Sequence, residues 1–70
     1  MNEIALRSSV LAGFHYDPDQ QQLRLRFRSG ELYIYETVPA GVIQGLFDAP
    51  SHGTYFNSAI RGRFPCHLLS

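Results

Sequence analysis

Asp48, Ser51 and His52 stand close together in the stretch Asp48-Ala49-Pro50-Ser51-His52, and those three types can build a hydrolytic nucleophile. The spacing works against it. Neighbouring side chains at a helix start diverge, so Ser51 and His52 are badly placed for the bond that would activate the serine. A serine directly after a proline has a simpler use as a helix N-cap. The other metal-binding or nucleophilic types are His15, Cys66 and His67. Their spacings match no paired-ligand pattern, and Cys66-His67 falls in a short C-terminal tail. The expectation is therefore no catalytic residue, no metal and no cofactor.

A second group of residues could bind rather than react. In LRLRFRSGELYIYETVP, residues 23–39, Arg24, Arg26 and Arg28 alternate with Leu23, Leu25 and Phe27, and Tyr33 and Tyr35 then flank Ile34. All six cations are arginine, whose planar fork grips phosphate and stacks on rings. Rings and guanidinium planes on an open sheet can hold unpaired bases, at ~1–3 kcal/mol per stacked base. The same residues can equally be cross-strand pairs that stabilise the back of a sheet, at ~0.2–1 kcal/mol each. Arg61 and Arg63, either side of Gly62, would extend such a basic surface or simply complement a helix C-terminus.

These residues need elements to hold them. Residues 8–16 read as a first strand, in which Leu11 and Phe14 reach one core only through a bulge near Ala12-Gly13. Asp17-Pro18-Asp19-Gln20 reads as a turn. Residues 22–28 and 31–38 make the next two strands, joined at Ser29-Gly30 by what reads as a two-residue hairpin loop. That loop would set Arg26 opposite Tyr33 and Arg24 opposite Tyr35. Leu25, Phe27, Leu32 and Ile34 would then form the core side, with the arginines and tyrosines behind it.

Pro39 suits a helix start. Val42, Ile43, Leu46 and Phe47 form an apolar stripe at helical spacing, although Gly41 and Gly45 weaken that helix by roughly 1 kcal/mol each. Pro50 ends it. Ser51 would cap a second short helix running to about Arg61, with Tyr55, Phe56, Ala59 and Ile60 inward and Gly62 and Pro65 closing it. Strands followed by helices imply an α+β fold: a three-stranded antiparallel meander with two short helices packed on one face.

Size and composition agree with one small module. The 70 residues form a single expected domain, 1–70, with its core at about 6–65 and short tails. A lone cysteine excludes an intramolecular disulfide. Formal net charge is zero, which argues against indiscriminate polyanion binding. An acid near the N-terminus, and no apolar run near the ~18 residues of a membrane span, make a soluble cytoplasmic protein the expectation.

The ordered pieces Ser8-Ser9, Tyr16-Asp17, the Leu23/Leu25/Phe27 strand running into Gly30, Tyr33-Ile34-Tyr35, Val38-Pro39 and Ala49-Pro50-Ser51-His52-Gly53-Thr54-Tyr55-Phe56-Asn57 with Ile60 resemble the KTSC domain. That module is named for the C-terminus of some lysyl-tRNA synthetases and also occurs as a free-standing bacterial protein. The resemblance marks Tyr16, Tyr33, Tyr35, Pro39, Ser51, Gly53 and Asn57 as family-motif positions. It implies no catalytic activity, and a suggested RNA-binding role that comes from the synthetase association. His15 and the Cys66–Ser70 tail depart from the family pattern. Two functions follow as expectations. One is an RNA- or tRNA-binding accessory module using Arg24, Arg26, Arg28, Tyr33, Tyr35, Arg61 and Arg63. The other is a protein-interaction or homodimerisation module.

Overall fold

The computed structural model describes residues 3–69. Its sheet begins with β1 (Ile4–Ala5), β2 (Leu11–Asp17), β3 (Gln22–Phe27) and β4 (Leu32–Tyr35). Two helices follow, α1 (Ala40–Asp48) and α2 (His52–Tyr55), the latter running straight into a π-helical turn over Phe56–Ile60. The chain then returns to pair β5 (Cys66–Leu68) with β4. The result is a five-stranded antiparallel sheet in the order β1-β2-β3-β4-β5, with both helices on one face. The α+β class is as expected from sequence. The meander is wider than expected, because the two tails become edge strands.

Several local readings hold in detail. The ladder between β2 and β3 shifts between Leu11 and Gly13, so Leu11 and Phe14 both reach the core. Asp17 accepts the backbone N–H groups of Asp19 and Gln20 in the turn. Ser51 caps α2 by accepting the Thr54 N–H; Pro39, expected at the first helical position, instead stands one residue earlier, at the N-cap of α1. Leu6, Leu11, Phe14, Leu23, Leu25, Val38, Leu46, Phe56 and Ile60 make the buried centre.

The β3–β4 hairpin differs from its expected form, and the difference changes which face each side chain takes. Phe27 N–H donates to the Glu31 carbonyl, and Gly30, at φ +100°, donates back to the Phe27 carbonyl. This is a three-residue loop whose last member occupies a positive-φ position natural to glycine. One extra loop residue moves the register by one: Leu25 faces Tyr33, Leu23 faces Tyr35, Arg24 faces Ile34 and Arg26 faces Leu32. A slip of one exchanges the two faces of a strand. Tyr33 and Tyr35 therefore lie on the helix-covered side with Leu23 and Leu25, and Leu32 and Ile34 lie behind with the arginines.

Phe47 is a second correction. It belongs to the sequence stripe of α1 but is 56 % exposed, while Leu46 carries the burial and Val42 and Ile43 pack at the margin. Gly45 explains the helix's weak composition. The Tyr55 hydroxyl donates to the Val42 carbonyl at 2.9 Å, and a Cβ at position 45 would collide with the Tyr55 phenol. Gly45→Ala gains helix propensity of about 1 kcal/mol yet overpacks this crossing, at a cost of roughly 1–3 kcal/mol. Thermal melting should therefore show Gly45→Ala less stable than wild type; a variant melting at or above wild type would contradict the tight crossing.

Candidate nucleic-acid interface

The tyrosines do structural work. Phe27, Tyr33, Tyr35 and Phe56 form an aromatic cluster in which Tyr33 meets Phe27 edge-on at 5.6 Å and Tyr35 meets Phe56 edge-on at 5.8 Å. Such contacts are worth about 0.5–1.5 kcal/mol each beyond area burial. Tyr35 is 5 % exposed. No Arg/Tyr platform is assembled, because the rings point toward the helices and the β3 arginines away from them. Tyr16 is likewise structural: its hydroxyl donates to the Val38 carbonyl at 2.6 Å, beside Pro39.

On the helix-free face, His15, Arg24, Ile34 and His67 form one row across β2 to β5. Ile34 is only 9 % exposed there, flanked by longer side chains whose apolar stems can cover it. An ion pair and a histidine–carboxylate contact lie on this face. Arg26 Nε donates to Glu3 at 2.8 Å, and His67 Nδ1 lies 3.6 Å from a Glu36 oxygen. Arg28 ties down the N-terminal segment, donating to the carbonyls of Ser8 and Leu6.

Asp48, Ser51 and His52 are each held by other partners. Asp48 accepts from Gln44, Ser51 caps α2, and His52 Nδ1 donates to the Leu46 carbonyl. Among the described residues, no three His, Cys, Asp or Glu side chains gather to hold a metal ion. No described helix is long and apolar enough to cross a membrane.

A polar cleft of about 380 Å³, not evident from the sequence, lies between residues 7–10 and the start of α2. Arg7, Ser8, Ser9, Ser51, Thr54 and Asn57 contribute to its walls. Ser8-Ser9 and Ser51-Gly53-Asn57, far apart in sequence, thus share one surface. Arg61 adjoins it by donating to Asn57 Oδ1 at 3.4 Å, and Arg63 donates to the Ser58 carbonyl nearby. No Asp or Glu occurs in residues 4–16 or 49–70, and none lines the cleft. A larger concavity of about 610 Å³ lies elsewhere, between the β1–β2 edge and α1, with Ile4, Phe14 and Phe47 among its apolar walls.

The sequence profile of the KTSC domain matches residues 7–64. A crystal structure of a KTSC domain protein from Yersinia pestis superposes with a TM-score of 0.95 at 32 % identity, covering 99 % of this chain and 97 % of that one. A small protein of Stutzerimonas stutzeri is 48 % identical over 61 residues, which is 87 % of this chain and 86 % of that protein. A lysine–tRNA ligase of Nostoc sp. is 42 % identical over 62 residues, covering 89 % of this chain but 11 % of the ligase. The chain belongs to the KTSC domain family, whose fold occurs both alone and within larger synthetases.

Tyr35 makes the buried aromatic cluster testable by pH. Burial, followed by the charge of neighbouring Cys66, pushes its phenol from the ordinary 10 up to about 12. The folded protein holds this proton more tightly than the unfolded chain does, so the linked stability is whole below pH 10 and is lost as pH rises toward about 12. Denaturant midpoints measured across that window should fall for wild type and fall less for Tyr35→Phe. Equal alkaline decline in the two proteins would contradict a buried Tyr35 hydroxyl.

Proposed function

We propose that this chain is a non-catalytic RNA-binding accessory domain that holds the phosphate backbone at the cleft between residues 7–10 and α2. The observation that carries the reading is the charge pattern there: Arg7 lines the cleft, Arg61 bonds the lining residue Asn57, and no carboxylate is among its walls. Related segments occur within lysine–tRNA ligases, and a module joined to such an enzyme works beside a tRNA. With Tyr33 and Tyr35 packed against the core, base stacking gives way to phosphate contacts, which position a nucleic acid without reading its sequence. Binding is therefore salt-sensitive and tolerant of sequence.

Arg24 and Arg26 remain part of the arginine complement on the opposite face, where Glu3 already pairs Arg26. In fluorescence-anisotropy titrations with single-stranded RNA and tRNA, Arg7→Gln with Arg61→Gln should weaken binding. The double variant should also lower the salt slope by ~0.7 for each single-strand phosphate that is no longer neutralised. Arg24→Gln with Arg26→Gln should leave affinity within about twofold, since a paired or isolated surface charge contributes little. The reverse ranking would move the interface to the open sheet. Absence of RNA binding by wild type at low salt would end the reading.

The protein-interaction reading has its own surface in the groove beside Ile4 and Phe47, which are 46 % and 56 % exposed. Sedimentation that shows a concentration-dependent doubling of mass, abolished by Phe47→Glu, would favour a homodimer. A monomeric mass throughout would exclude that form of it.

A further inference from the structure

The cleft's hydrogen-bonding capacity is one-sided. Ser8 Oγ already accepts the backbone N–H groups of Val10 and Leu11, each at 3.1 Å, which leaves its own proton to donate. Thr54 Oγ1 accepts from Ser51 at 3.0 Å, which again leaves the threonine proton. Asn57 Oδ1 is occupied by Arg61, leaving the amide NH₂. Arg7 has donors alone, and Ser9 adds a further hydroxyl. The acceptor oxygens of Ser8, Thr54 and Asn57 are thus engaged within the protein, and their remaining protons are free to donate. The π-helical turn at Phe56–Ile60 carries Asn57, and such turns recur at functional sites.

We infer that this cleft is a phosphate-ester site, with Arg7 supplying the charge and Ser8, Ser9, Thr54 and Asn57 supplying neutral donors to the phosphate oxygens. The inference deepens the RNA reading and rests on it for the identity of the anion, a backbone phosphodiester. Charge-assisted donors at close range are the strong form of such contacts. Gly53 keeps the cleft open: a Cβ there would lie 3.6 Å from Val10 and 3.7 Å from Ser8 Oγ, in ordinary contact, so any longer side chain reaches into the space.

That geometry supplies a clean variant. Gly53→Asp accommodates its Cβ and places an acid in the first turn of α2, where acids favour a helix, yet it puts a carboxylate among the donors. The test is an amide shift-perturbation titration of the full chain at constant ionic strength, with inorganic phosphate, adenosine 5′-monophosphate and a short single-stranded RNA. Saturable shifts at Ser8, Ser9, Gly53, Thr54 and Asn57 with all three are expected. Affinity should fall about tenfold or more in Gly53→Asp and Arg7→Gln, while both melt near wild type. Saturable phosphate shifts with no gain from RNA over the mononucleotide would support the site while overturning the RNA reading. RNA binding with these amides silent, or phosphate shifts unchanged in Gly53→Asp, would overturn the site. If Gly53→Asp failed to fold, Arg7→Gln, a change at an exposed residue, would decide alone.

Discussion

The positive φ of Gly30 decides how this small domain distributes its side chains. With three residues in the β3–β4 loop, Tyr33 and Tyr35 fall beside Leu25 and Leu23 and complete the aromatic wall against Phe27 and Phe56. With two, the same strand would present those rings to solvent and send Leu32 and Ile34 inward. A chain of this size has little apolar surface to spare. The register that buries Tyr35 and packs Tyr33 against the core, leaving Ile34 shielded beside Arg24 and His67, makes fuller use of it.

From that choice follows the separation between packing and recognition. The family-motif residues sort into two sets. Tyr16, Tyr33, Tyr35 and Pro39 belong to the packed side, where Tyr16 fastens β2 to the segment leading into α1. Ser51, Gly53 and Asn57 belong to the cleft with Ser8 and Ser9. On the helix-free face, where recognition was first expected, Glu3 pairs Arg26 and Glu36 lies beside His67. The cleft, drawn from two stretches that contain no acid, has no such balance.

Much of the architecture was legible in sequence because it is set locally. Gly13 announced the β2 bulge, Asp17 its turn, and Pro50-Ser51 the break between the helices. What was not legible depends on tertiary competition. Tyrosine is apolar in its ring and polar at its tip, so alternation alone could not say which side of β4 faces inward. Ile4–Ala5 and Cys66–Leu68 carry too short a pattern to announce strands, and exist because β2 and β4 offer them a partner. Phe47 follows the helical period but is left exposed in the groove beside Ile4 and Phe14. The cleft was invisible because the path that brings Ser8-Ser9 to Asn57 spans most of the chain. Its signal was nonetheless present: two acid-free stretches rich in hydroxyl side chains, each with an arginine.

Cross-strand nuclear Overhauser contacts in the β3–β4 hairpin test this division most directly. The expected contacts join Tyr33 to Leu25 and Leu68, Arg24 to Ile34, and the Tyr35 ring to Phe56. Contacts pairing Arg26 with Tyr33 and Arg24 with Tyr35 would contradict it, restoring the tyrosines to the open face and with them a stacking surface beside the arginines.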